Sequence, residues 1–487
     1  MRLAISCACS PTSTGLAPCL CHSQVSKATL SRIEADLKRR SVMGGAAAIL
    51  GMFAGFGLGP RDAAAQEPKR PLRLTNLRLF DGNRLEMQNG VDIQIAGDRI
   101  QALPRRGESS GDAELIDCGG RAVVPGLVDM HAHIILAGIN EQTAMFGETT
   151  FVHLVASRTA STMLSQGFTT IRDVGGPAFA LKLAIDRGIV PGPRIFPSGA
   201  ALSQTSGHGD FRLLDELPRM PTTPAHRVER EGINIIADGV PEVLRRTREQ
   251  LMKGASQIKV MAGGGVSSLY DPLDTAQYLE EELRAAVQAA ADWGTYVCAH
   301  VYTPAGIQRC VKAGVKCIEH GQLADATAVK AMADAGVWWS IQPFLADEDA
   351  NPKSDPRQRA KQVEVGEGTV RSLELARRHS ARLAFGTDIL FNPGGVARMG
   401  RQLNKFTRFM SPLEALRLAT GAAGELLALS GPRAPYEGAL GVLRPGAMAD
   451  LLLVDGSPEK SLDWLENYET TLRIIMKDGR FVKRSMA

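Results

Sequence analysis

Eight short apolar runs, mostly separated by helical periodicity, constrain the fold of this chain more than any other feature. They are Ala122 to Met130, Thr169 to Val174, Arg194 to Ser198, Gln257 to Ala262, Tyr296 to His300, Val315 to His320, Val337 to Ile341 and Arg382 to Asp388. Helical patterns fill intervals such as Pro241 to Gly254, Leu279 to Trp293 and Thr303 to Ala313. Alternation of this kind predicts an α/β fold, a (β/α)8 TIM barrel over residues 121–434. Two irregular insertions interrupt it, one over 201–238 after the third strand and one from Phe344 (344–366) after the seventh. Both fall where barrel loops cover an active site. Short strands and turns at 66–120 and 435–487 predict a small β-sandwich domain formed by both chain termini.

Residues 1–65 read as an export leader. Lys38-Arg39-Arg40 precedes the small apolar run Met43 to Leu58 and then Ala63-Ala64-Ala65-Gln66, a cleavage-like site. The paired arginines resemble a twin-arginine signal, although Val42-Met43 replaces the usual Phe-Leu. Removal after Ala65 predicts a periplasmic or secreted protein. Cys7, Cys9, Cys19 and Cys21 are unusual in a leader, and a start codon placed too far upstream accounts for them as well as a zinc site would. Beyond residue 65 the chain holds 49 Lys+Arg and 49 Asp+Glu, so nothing points to nucleic acid or an anionic membrane as partner. No segment of the mature chain reads as a membrane span. Cys118, Cys298, Cys310 and Cys317 lack CxxC spacing and read as buried thiols.

The strand ends carry the chemistry. The first run closes in His131-Ala132-His133, and residues two apart on a strand face one side. Lys259 lies in the fourth run, His300 ends the fifth, His320 the sixth and Asp388 the eighth. Four of the chain's nine histidines fall at these positions, which chance does not explain. Neutral imidazole and carboxylate suit zinc or a similar divalent ion. A lysine buried in an apolar strand is pushed toward its neutral amine, which can add CO2 and become a carbamate bridging two metals. A hydroxide between them is a nucleophile at neutral pH.

Pro125-Gly126-Leu127-Val128-Asp129-Met130-His131-Ala132-His133, Lys259, His300, Glu319-His320-Gly321 and Gly386-Thr387-Asp388 resemble the amidohydrolase superfamily in its binuclear, carbamylated-lysine form. Gly441 to Leu451 resembles that family's return to its β-sandwich. The resemblance implies that His131, His133 and Asp388 hold one metal, and His300 and His320 the other, with carbamylated Lys259 bridging. Asp388 would also carry the proton from the hydroxide to the leaving nitrogen. Lys259 to Val266 and Ser206 to Asp210 are most similar to the branch of Xaa-Pro dipeptidases and imidazolonepropionase-like proteins, which includes bacterial amidohydrolases acting on ochratoxin A.

That branch implies a small-molecule substrate, an N-acyl amino acid or dipeptide with a free carboxylate, and a homo-oligomeric protein. His208 is the candidate contact to the scissile carbonyl or that carboxylate, and Tyr270 a second donor to the carboxylate. Gly263-Gly264-Gly265 is expected to leave room for the ligand beside the metals. Asp210, Arg212 and Arg227 are open as charge-reading residues of the first insertion. Two other readings are a mononuclear cyclic amidohydrolase of imidazolonepropionase type and a non-catalytic scaffold. Lys259 argues against the first, and the complete ligand set against the second.

Overall fold

The structure, a computed structural model, describes residues 70–220 and 222–486. The expected leader, with its clustered cysteines, lies outside the described residues. At the centre seven strands pair in the order Asn234–Ile236, Ala201–Ser203, Ile258–Met261, Val297–Val301, Cys317–His320, Trp338–Ile341 and Arg382–Phe385, every neighbour parallel. A second parallel sheet contains Leu127–Ala132, Phe168–Asp173 and Arg194–Pro197. Each of the eight expected runs overlaps one of these strands. Residues 198–200 carry the chain from one parallel sheet to the other. On the opposite flank the Asp388 amide donates to the His131 carbonyl at 2.8 Å.

The helices between strands start and stop where local chemistry dictates. Thr303 caps Pro304–Ala313 by accepting from the Gly306 amide, Pro304 fills the first turn, and left-handed Gly314 ends the helix. Asp355 caps Pro356–Arg378 in the same way. Among the described residues no helix is long and apolar enough to cross a membrane.

Two sheets are built from the two ends of the described chain. One orders Arg99–Ala102, Ile93–Ala96, Leu72–Thr75 and Glu114–Asp117; the other orders Arg480–Arg484, Leu472–Lys477, Leu451–Val454, Ala122–Pro125 and Arg78–Leu79. They share an apolar core that includes Leu74, Ile93, Ile116, Val123, Leu453 and Ile474. Buried Arg194, at the start of a parallel strand, pairs with Asp450 and Asp478 and so ties the two regions together.

The structure corrects two expectations. The run Ala122 to Met130 is two strands. Ala122–Pro125 pairs antiparallel with Leu451–Val454, and the parallel strand begins at Leu127. Gly126 makes the break possible, because a Cβ there would stand 2.3 Å from Thr169 Oγ1. Both halves are fully buried, so hydropathy alone shows no seam. The segment 201–238 is also not wholly irregular. It opens and closes in Ala201–Ser203 and Asn234–Ile236, which pair with each other in parallel. In the second insertion, the helix Pro356–Arg378 begins at Pro356.

Candidate active site

His131 and His133 come from the end of Leu127–Ala132 and the residue after it, and they face the same cavity as Lys259, His300, His320 and Asp388. Asp388 lies between imidazoles: its Oδ1 is 3.4 Å from His131 Nε2 and 3.3 Å from His133 Nε2, and its Oδ2 is 3.9 Å from His320 Nδ1. Ligand atoms of His131, His320 and Asp388 lie within 4.8 Å of one another. The His300 ring centroid is 4.5 Å from that of His320. Lys259 pairs in register with Cys298, two residues before His300, and is therefore set deeper between the strands. It is 1% exposed, and among the described residues no carboxylate lies within 4.0 Å of its ammonium.

Backbone conformation explains how adjacent residues can serve one site. In a regular strand Glu319 and His320 would face opposite ways. His320 instead has φ 71°, in the left-handed region, followed by Gly321 at φ 72°. Gly321 clears the indole of Trp339, since a Cβ there would approach Trp339 Nε1 to 2.7 Å. Asp388 has φ 51°. Left-handed backbone costs a histidine more than a glycine, and such strain concentrates at functional sites. Asp129, another residue of the first motif, locks this geometry. Its Oδ1 accepts from the His131 and Thr387 amides at 2.9 and 3.0 Å, and its Oδ2 from Thr387 Oγ1 at 2.6 Å. Burial raises the Asp129 carboxyl to about 6. Gly386 lets the eighth strand cross His131 closely, because a Cβ would sit 2.5 Å from His131 Cβ.

Each of the four imidazoles has one ring nitrogen engaged and the other left for a ligand. His131 Nδ1 meets Glu319 Oε2 at 2.7 Å, and His133 Nδ1 meets the Gly175 carbonyl at 3.2 Å. His300 Nε2 meets the Gly264 carbonyl at 3.1 Å, and His320 Nδ1 meets Gln342 Oε1 at 2.8 Å. The opposite nitrogen of each ring has no hydrogen bond among the described residues, and for His131 and His133 that nitrogen, Nε2, faces Asp388. His131 Nε2 is buried with no hydrogen-bond partner. Burial pushes His131 down to about 4 and holds His300 and His320 well below the usual imidazole range, so these rings are neutral near pH 7. Burial alone would raise the Asp388 carboxyl, and its neighbours His131, His133 and His320 lower it by more. Neutral nitrogens around a carboxylate are a donor set that fits a divalent metal.

His208 enters the site from the first insertion. Its ring stacks on His300 with centroids 4.1 Å apart, and its Nδ1 is 2.7 Å from Ser268 Oγ and 3.5 Å from Asp271 Oδ2. Its Nε2 makes no hydrogen bond among the described residues. The glycine run serves this ring, which corrects the expectation of ligand space. A Cβ on Gly265 would lie 2.0 Å from His208 Cε1, and one on Gly264 would lie 1.9 Å from the Pro272 carbonyl oxygen. Gly265→Ala is therefore expected to displace His208 and lower kcat/KM by about 10²-fold, the scale of a small misplacement. Metal content should stay unchanged, and parental kinetics with a shifted His208 ring would remove that residue from the reaction.

Tyr270 is 40% exposed and stands outside the cavity lining. The tyrosine at the ligand cluster is Tyr302, buried against the rings of His300 and His320. Arg212 is paired with Asp210 at 2.6 Å, and Arg227 donates to the Gly147 carbonyl, so these side chains hold the insertion together. The four thiols beyond residue 65 are free and buried. Residues the sequence reading left without a role include Asp129, Arg172, Glu319 and Gln342. A charge inside an apolar strand, as in Phe168–Asp173 and Cys317–His320, is the signal that could have marked Arg172 and Glu319.

The cavity holds about 560 Å³ and is walled largely by apolar side chains, among them Leu136, Phe211, Phe344, Leu390 and Phe391. Lys353 and Arg359 add positive charge to its wall. Residues 122–482 match the amidohydrolase family. The chain belongs to that family. Within it, the ochratoxinase of Aspergillus niger is 32% identical over 377 residues, 74% of this chain and 75% of the relative. The imidazolonepropionase of Deinococcus radiodurans is 25% identical over 427 residues, 82% of this chain and 90% of the relative. Among solved structures, a prolidase in complex with N-methylphosphonate-L-proline superposes with a TM-score of 0.77 at 34% identity, covering 85% of this chain and 100% of that one. These similarities place the protein in the ochratoxinase, imidazolonepropionase and Xaa-Pro dipeptidase branch, a hydrolase of amide bonds in small molecules.

Proposed function

We propose that this protein is a binuclear, zinc-dependent amidohydrolase that cleaves the amide joining an acyl group to an amino acid with a free carboxylate. N-acyl-phenylalanines of the ochratoxin type and dipeptides are both members of that class. The observation that carries the reading is four imidazoles in one cavity, each with one nitrogen held by an oxygen, three of them beside Asp388. The parallel strands that present these residues are proposed to close as a (β/α)8 barrel beside a terminal β-sandwich, as the family implies.

His131, His133 and Asp388 would hold one ion and His300 and His320 the other, with Lys259, as a carbamate, between them. Two such ions supply Lewis-acid polarisation of the carbonyl and a water acidified to near-neutral pKa. Asp388 accepts a proton from the attacking water and returns it to the leaving nitrogen, so that amide and water become acid and amine. His208 Nε2 meets the scissile carbonyl or the substrate carboxylate. Lys353 and Arg359 give the wall a charge complementary to that carboxylate, and the apolar side chains accept a bulky aromatic or aliphatic group.

Chelation is expected to abolish hydrolysis, and zinc to restore it with two ions per chain. Restoration at one ion per chain would favour a mononuclear enzyme of the imidazolonepropionase type. Full activity after complete metal removal would end the metal-dependent reading. A panel of Xaa-Pro, Xaa-Phe and N-aroyl-Phe amides, each beside its carboxamide counterpart, tests the substrate class. Equal turnover with and without the free carboxylate would reject it.

A further inference from the structure

Below the ligand atoms lies an ion pair that takes no part in the bond-breaking chemistry. Arg172, in Phe168–Asp173, and Glu319, in Cys317–His320, are both fully buried and meet at 2.6 Å through Glu319 Oε1. Arg172 Nε also donates to the Met130 carbonyl at 2.6 Å, and another guanidinium nitrogen donates to Tyr296 Oη at 3.1 Å. Cys317 Sγ approaches Glu319 Oε1 at 3.1 Å. The other carboxylate oxygen, Oε2, takes His131 Nδ1 at 2.7 Å. A buried pair of this kind is commonly no more stabilising than apolar residues of the same volume. Its retention beneath a site calls for a local reason.

The four imidazoles differ in what holds them. His133, His300 and His320 each meet a neutral oxygen, from Gly175, Gly264 and Gln342. Asp388 aside, His131 is the one ring of the four that pairs with a carboxylate among the described residues. A carboxylate acceptor fixes the tautomer more firmly than an amide oxygen and makes the opposite nitrogen a stronger ligand. Arg172 holds both that carboxylate and the carbonyl of Met130, the residue before His131, so ring and backbone are set by one guanidinium.

We propose that Arg172 and Glu319 form a positioning pair that keeps the His131 proton on Nδ1 and aims Nε2 at the metal, making the ion on His131, His133 and Asp388 the more tightly retained of the two. The inference rests on the metal-dependent reading of the same site. Neither residue touches substrate, so both act through His131.

The test compares Glu319→Gln and Arg172→Met with the double variant carrying both. Either single change leaves one buried charge unpaired and lowers thermal stability. The double variant removes both charges, and its Tm is expected to return toward the parent value. Zinc retention is then read by chelator competition on the zinc-loaded proteins. The double variant should lose about 10–100-fold in affinity at the tighter site, with the weaker site unchanged. Parental affinity at both sites in a stable double variant would overturn the proposal and leave the pair a purely structural element. If the double variant does not fold, nitrogen NMR of the zinc-loaded parent decides. A protonated Nδ1 on His131 supports the assignment, and a protonated Nε2 overturns it. A parent that takes up no zinc would instead overturn the metal-dependent reading, a distinguishable outcome.

Discussion

Asp388→Asn is expected to lower kcat by about 10²–10⁴-fold, the range that a positioned general acid–base contributes. The amide has the shape of the carboxylate but cannot take a proton from the attacking water. Asp388 Oδ1 lies within 3.4 Å of both His131 and His133, so the variant also reports on metal retention, and metal content must be measured beside the rate. A fall in kcat with metal still bound assigns the proton to Asp388. Undiminished hydrolysis would reject that assignment.

Lys259→Ala is expected to remove most of the activity. Lys259 is 1% exposed and lines the same cavity as the four histidines and Asp388. Losing the shared ligand should remove roughly 3–4 kcal/mol of transition-state stabilisation, on the order of 10²–10³-fold in rate. The zinc count should fall below two per chain. Growth in labelled bicarbonate should place a carbamate signal in the parent that this variant lacks. An active variant that still carries two ions would show that Lys259 does not bridge.

That the six candidate residues face one cavity was legible because it depends on a two-residue period and on strand ends, both written locally in the sequence. His131 and His133 share a side for that reason, and the apolar runs around them mark the strands. Glu319 was not legible as a partner of His131. Its inward direction together with His320 depends on a left-handed residue at the strand end, and histidine gives no sign of that conformation. Arg172 looks like any strand cation until the partner strand is in place. The seam at Gly126 was hidden because residues on both sides of it are equally apolar. His208 was named from its motif, but its orientation is set by space at Gly265, a through-space constraint with no sequence signature. Tyr270 shows the converse: an aromatic near the fourth strand was read as facing the ligand, and the loop turns it outward.

The sheet shared by the two ends of the chain has a consequence for biosynthesis. Ala122–Pro125, which leads directly into the strand bearing His131, pairs with Leu451–Val454. Ribosomes deliver the chain from its N-terminus, and domains complete themselves as their parts emerge. The strand that anchors the first histidine pair therefore waits, unpaired on that edge, for almost the entire polypeptide to be made. Assembly of the histidine cluster is in consequence a late event, and a nascent chain released early would carry these histidines without the scaffold that orients them.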